Sequence, residues 1–131
     1  MRTVSIALIF NKHTNKFLIG RRALTEPHSG FWEFPGGKLE KGETPQQALE
    51  RELMEELNVK SIIKDFFNES IYTFSSGTFK LLTYFTEIDD STLEYRVHDK
   101  LVWVTLKEAY KYKMFESNFS ILDKLCEHFK L

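Results

Sequence analysis

The chain has 131 residues, 18 Lys+Arg against 19 Asp+Glu for a net charge of −1, and 15% aromatic residues. That length suffices to bury one core, the aromatic content excludes disorder, and the balanced charge excludes the global basic field that recruits duplex nucleic acid. The expectation is a single domain over residues 1–131 that acts on a small molecule through a local patch, as a monomer or homodimer. The single cysteine, Cys126, excludes an internal disulfide and a Cys-based zinc site and fits a reducing cytoplasm. No apolar run approaches the roughly 18 residues of a membrane span. The first ten residues lack a small-residue cleavage site and read as a strand.

In chain order, Val4 to Phe10 is an apolar run of strand length, and Lys16 to Arg21 reads as its hairpin partner. Ala23 to Gly30 carries Thr25, Pro27 and Ser29-Gly30, all turn chemistry, which makes His28 an exposed loop residue. Phe31 to Phe34 is a short extended piece stopped by Pro35 and the Gly36-Gly37 pair, and a second turn follows at Lys41-Gly42. A well-marked helix then begins at Pro45. Thr44 is its N-cap and Gln47 completes a capping box, while Leu49, Leu53 and Leu57 form one apolar stripe that Met54 widens. Asn58 stands where a left-handed residue ends a helix.

Ser61 to Phe67 and Ser70 to Phe74 look extended, and Ser75-Ser76-Gly77 turns the chain into a further strand, Thr78 to Thr86. Ile88 to Asp99 is polar and reads as a surface loop. Leu101 to Leu106 is a last strand, Lys107 to Tyr112 a short helix, and Ser117 to Lys130 a longer one. Ser117 or Asn118 would cap that helix, with Ile121, Leu122, Leu125, Cys126 and Phe129 as its buried stripe. The pattern implies an α/β (α+β) fold, a mixed sheet covered by helices on both faces.

The chemistry concentrates in Gly37 to Val59, GKLEKGETPQQALERELMEELNV. Glu52, Glu55 and Glu56 share one side of the helix with Arg51, and like charges at that spacing repel. The arrangement is either a solvated acidic face or the ligand set of a hard divalent cation acting on phosphates.

Gly37, Glu43, Arg51, Glu52, Leu53, Glu55, Glu56 and Val59 reproduce the spacing of the Nudix box, so the chain resembles the Nudix hydrolase superfamily. Asn58 departs from it, where the family usually has glycine. Phe31 to Lys38, which contains EFPGGK, resembles the MutT branch, the nucleotide-pool sanitising enzymes. So do Arg21-Arg22, Trp103 and Ser117-Asn118-Phe119. The resemblance implies an α/β/α sandwich and Mg2+, with Mn2+ as a substitute, held by Glu52, Glu55, Glu56 and the Gly36 carbonyl. It implies that Glu43 braces the loop, that Arg51 orients the glutamates, that Arg22 contacts the nucleotide, that Glu33, Phe34 and their neighbours up to Gly36 line its pocket, and that Asn118 reads the base. Relatives place another glutamate before the tryptophan strand; here Val97 stands there, with Glu94, His98 and Asp99 nearby. His98 on its own reads as an exposed loop histidine, and Phe74 and Phe79 as core residues, with stacking surface for a base as the alternative.

The implied activity is Mg2+-dependent hydrolysis of a nucleoside triphosphate, such as 8-oxo-dGTP, to the monophosphate and pyrophosphate. Alternatives are another Nudix substrate (a pyrimidine triphosphate, a dinucleoside polyphosphate or capped RNA) and a Nudix-fold module that senses a nucleotide without cleaving it.

Overall fold

The computed structural model describes residues 1–131. Seven strands, β1 (Arg2–Asn11), β2 (Lys16–Arg22), β3 (Trp32–Glu33), β4 (Gly36–Lys38), β5 (Lys60–Phe74), β6 (Gly77–Asp89) and β7 (His98–Val104), combine with three helices, α1 (Pro45–Leu57), α2 (Leu106–Ala109) and α3 (Glu116–His128). The backbone of the sheet runs β3-β2-β1-β6-β5, with β4 on β1 and β7 on β2. Strand β1 is its hub. It pairs in parallel with β6 from Arg2↔Phe79 to Ile9↔Thr86, antiparallel with β4 from Val4↔Lys38 to Ile6↔Gly36, and turns into β2 at Phe10↔Phe17. The sheet is therefore mixed.

A central strand buried on both faces has no polar side to show, which is why Val4 to Phe10 reads as an apolar run interrupted only by Ser5. Its residues alternate between two cores. Ile6 and Leu8 join Phe17, Ile19, Leu122 and Leu125 on the α3 face, and Ala7 and Ile9 join Leu18, Leu49, Leu53 and Leu57 on the α1 face. Helices thus cover both sides of the sheet. The three α1 leucines are fully buried, each stabilising the fold by on the order of 2 kcal/mol.

Helix α1 starts and ends on local chemistry. Gln47 N–H donates to Thr44 Oγ1 at 3.1 Å and Thr44 N–H to Gln47 Oε1 at 3.0 Å, the expected capping box. Ser5 Oγ donates to the Pro45 carbonyl at 2.9 Å and ties this end to β1. Asn58 closes the other end at φ 55° and ψ 43°, a left-handed residue in the glycine position of the box. No helix of the chain is long and apolar enough to cross a membrane.

Several elements differ from the sequence expectation. The Gly36-Gly37 pair does not stop an extended segment but forms β4, because its edge hydrogen-bonds to β1. Residues 60–74 are one strand, not two, with bulges between Ile63 and Phe66 and between Phe66 and Asn68 that absorb the polar break. The expected surface loop is shorter: β6 runs to Asp89 and β7 begins at His98. Helix α2 starts earlier, at Leu106, because Thr105 and Glu108 form a capping box of their own. Helix α3 has Phe115 at its N-cap, so Ser117 and Asn118 lie inside the helix and are buried. Met54 is 39% exposed and Phe129 47%, outside the stripes expected of them; Ala48 and Glu56 fill the α1 side instead.

Candidate active site

Arg51 organises the acidic helix face. Its Nε and Nη2 donate to the two oxygens of Glu43 at 2.8 and 2.9 Å, its Nη1 to Glu52 at 2.8 Å and Glu55 at 3.2 Å, and Nη2 also to the Lys38 carbonyl at 3.1 Å. A planar guanidinium supplies such a fork, which an ammonium cannot. Glu43 accepts in addition from Glu40 N–H at 2.7 Å, which closes the loop before α1. The Arg51 hydrogen bond, followed by that backbone bond, pushes the Glu43 carboxyl down to about 2. The Arg51 guanidinium is held more firmly charged by the same contact.

The other carboxylates are not so compensated. Burial raises the Glu52 carboxyl above its usual range against the opposing pull of Arg51. Glu56 is only 6% exposed, and its Oε2 is buried without a hydrogen-bond partner. Burial first, then the charges of Glu33 and Glu52, pushes its carboxyl up to about 9. Without a cation it holds a proton at neutral pH.

Strand β4 lies directly against this group. A Cβ on Gly37 would stand 2.2 Å from Glu52 Cδ, so the carboxylate packs on bare backbone. Ladder bonds Ala7 N–H to the Pro35 carbonyl and Leu39 N–H to the Thr3 carbonyl put every second peptide of this segment on β1. That alternation turns the Gly36 carbonyl away from β1, to the edge where the Lys38 carbonyl meets Arg51. An orphaned buried carboxylate oxygen, a second half-buried carboxylate and an unpaired carbonyl are an all-oxygen donor set of the kind that suits Mg2+. Glu55, 58% exposed at its side chain, completes the row at the solvent edge.

A second polar group sits where β2, β3 and β7 meet. Glu33 Oε2 accepts from Arg22 Nη1 and from His98 Nε2, each at 3.0 Å, and Arg22 Nε donates to the Pro27 carbonyl at 2.8 Å. Glu33, Glu56 and His98 offer ligand atoms within 4.8 Å of one another. His98 is not the exposed loop residue expected but fully buried at its side chain. A bulge is the cause: β2 and β7 pair Arg21 with Lys100 and then Arg22 with His98, skipping Asp99. The skip turns His98 toward α1 and leaves Asp99 outside, on Arg21 at 2.8 Å. Strict alternation from Leu101 and Trp103 puts Asp99 on the α1 face, so no signal in the sequence marked His98. Glu94 also stays outside, bonded to Asn58 and Arg96, and the Val97 carbonyl accepts from Ala23 N–H.

Glu33, Arg22 and Gly36 to Lys38 also line a cavity of about 690 Å³, whose far wall is Phe34, Phe74, Phe79, Phe115 and Asn118. Phe79 is core, as expected, and also faces the cavity; Phe74 is half-buried and stacks on Phe115 at 5.6 Å and 19°. Phe115 carried no mark in the sequence, since its position depends on where α3 starts. Asn118 Oδ1 accepts from Phe34 N–H at 2.9 Å, while its Nδ2 has only a contact of 3.5 Å to Ser117 Oγ. With its oxygen already engaged by the backbone, the Nδ2 amide is its freer group in the cavity wall.

The family model of the NUDIX domain matches residues 1–125. A CTP pyrophosphohydrolase of Escherichia coli (strain K12) is 28% identical over 123 residues, 94% of this chain and 91% of that protein. An 8-oxo-dGTP diphosphatase of Proteus vulgaris is 54% identical over 56 residues, 43% of this chain and 49% of that protein. Among solved structures, that of the E. coli ORF135 protein superposes with a TM-score of 0.84 at 29% identity, over 97% of this chain and 89% of that one.

Proposed function

The chain belongs to the NUDIX domain family, a hydrolase family, and on that premise we propose that it cleaves a nucleoside triphosphate to the monophosphate and pyrophosphate with Mg2+. The observation that carries this reading is the row of carboxylates around Arg51, set beside a cavity large enough for a nucleoside. Glu52, Glu55, Glu56 and the Gly36 carbonyl would hold the cation, with Mn2+ as a substitute. When bound, it relieves the phosphate charge and acidifies water. Arg51, braced by Glu43, keeps Glu52 and Glu55 apart and aimed. Arg22 supplies charge to the phosphates, Glu33 and Phe34 border the nucleotide, and the aromatic wall of Phe74 and Phe115 takes the base by stacking. A cytoplasmic setting fits the single free cysteine, Cys126.

Asn118, with a donor to offer, pairs with a base edge that accepts, a ring carbonyl or a ring nitrogen. Guanine-type bases satisfy that requirement, and for an oxidised dGTP the reaction would cleanse the precursor pool for DNA synthesis. Pyrimidines satisfy it too. A relative aligned over nearly the whole chain is named a CTP pyrophosphohydrolase, which supports a pyrimidine triphosphate as the second reading.

The test is a panel of canonical and oxidised nucleoside triphosphates, a dinucleoside polyphosphate and capped RNA, assayed with Mg2+ as relative kcat/KM, beside Glu55→Gln and Glu56→Gln. Loss of turnover in both variants is expected. Unchanged turnover in both would overturn the assigned roles, and nucleotide binding with no product in the wild type would favour a sensing module.

A further inference from the structure

The junction of β2, β3 and β7 holds more carboxylate oxygens than its hydrogen bonds account for. Glu33 takes both of its bonds, from Arg22 and His98, on Oε2, and Oε1 has no protein partner. Glu56 faces it with an Oε2 that is buried and also unpartnered. Glu33 and Glu56 each bring a carboxylate oxygen within 4.8 Å of the other's. Arg22 does not neutralise both: it approaches Glu33 from the Oε2 side, and its charge is shared with Glu26 at 3.6 Å.

The pair has the spacing of a cation site. Oxygens that share one Mg2+ at about 2.1 Å lie up to about 4.2 Å apart, a distance inside the 4.8 Å limit on this pair. The junction is also built to keep Glu33 still. His98 reaches it only because the Asp99 bulge turns the ring inward and because Gly20 leaves the ring room, since a Cβ there would stand 2.6 Å from His98 Cδ2. Facing a carboxylate, Nε2 must carry the proton and donate it, so the ring acts as a fixed arm behind Glu33.

We propose that Glu33 is an additional ligand of the divalent cation, shared with Glu56, and that His98 is the positioning residue that holds the Glu33 carboxylate toward it. The inference rests on the reading of Glu56 as a cation ligand and extends the ligand set from α1 to β3. It gives Glu33 a place at the boundary between cation and nucleotide, since the residue lines the cavity as well.

Mn2+ binding without nucleotide, followed by the EPR signal of the free ion, tests the assignment apart from turnover. Glu33→Gln is expected to weaken one Mn2+ by about 10-fold or more while thermal unfolding and circular dichroism stay near wild type. His98→Ala is expected to weaken the same ion by a smaller factor, and His98→Gln, whose amide N–H replaces Nε2–H, to restore most of it. Wild-type Mn2+ affinity in Glu33→Gln overturns the proposal, and equal weakening in His98→Ala and His98→Gln overturns the positioning role. Should His98→Ala fail to fold, Glu33→Gln and His98→Gln still decide. Glu56→Gln separates the two levels: Mn2+ lost there but kept in Glu33→Gln refutes this inference alone, and Mn2+ kept in Glu56→Gln refutes the assignment of the α1 carboxylates as well.

Discussion

Replacing Glu56 by Gln is expected to stabilise the cation-free protein at neutral pH, although the change removes a proposed cation ligand. In the folded chain the Glu56 carboxyl is pushed from 4.5 up to about 9, mainly by burial. Below pH 4.5 it is protonated in both folded and unfolded states and costs nothing. Between 4.5 and about 9 folding must take up a proton, so the stability present at acid pH is lost steadily as pH rises through this window. At pH 7 the interval above 4.5 corresponds to about 3 kcal/mol, and this figure does not depend on how far above 7 the folded value lies. Glutamine has nearly the same shape and escapes that cost.

The assay is thermal unfolding in EDTA from pH 5 to pH 8. The Tm of Glu56→Gln is expected to exceed that of the wild type by a margin that grows with pH, reaching about 10 °C near neutrality. Saturating Mg2+ is expected to close the gap by raising the wild type, because a bound cation replaces the proton. Parallel pH profiles for the two proteins, or a variant less stable than the wild type at pH 8, would refute the claim that Glu56 is a buried carboxyl awaiting a cation.

Three other outcomes follow from the geometry. Arg51→Lys keeps the charge but loses the fork to Glu43 and the bonds to Glu52 and Glu55, so kcat is expected to fall by about 10–100-fold with little change in KM, measured by steady-state kinetics. Gly37→Ala places a methyl 2.2 Å from Glu52 Cδ, and expelling that carboxylate is expected to weaken Mn2+ binding by at least 10-fold in an EPR titration while the circular dichroism spectrum is retained. Asn118→Asp exchanges the free donor for an acceptor, which is expected to shift kcat/KM from bases presenting a carbonyl toward bases presenting an amino group, by about 1–3 kcal/mol of discrimination; an unchanged base ranking would remove Asn118 from the recognition edge.

The site joins two kinds of electrostatic arrangement. Around Arg51 the bonds to Glu43 and Glu52 are short and charge-assisted, and Glu43 is held ionised. One turn further along α1, Glu56 has no such partner and carries the cost of its burial. A helix face that was uniformly paired would leave nothing for a cation to bind, and one uniformly unpaired would not fold with its carboxylates in place. The pairing of Arg51 supplies order, and in the proposed function the isolation of Glu56 supplies affinity.

What the sequence determined by itself was local. The capping box at Thr44, Pro45 and Gln47, the leucine stripe of α1, the left-handed Asn58 and the spacing of Glu43, Arg51, Glu52, Glu55 and Glu56 depend on contacts within a few residues, and all are read directly from the order of the chain. The tertiary structure decided what lies across strands. That Gly36 and Gly37 form an edge strand follows from β1, 30 residues earlier in the chain, and the placement of Glu33 beside Glu56 follows from the register of β2 and β3. His98 is the clearest case. One skipped residue in a ladder reverses which side chain faces the core, and a bulge of that kind leaves no periodic trace in the sequence, so only the folded sheet put His98 behind Glu33.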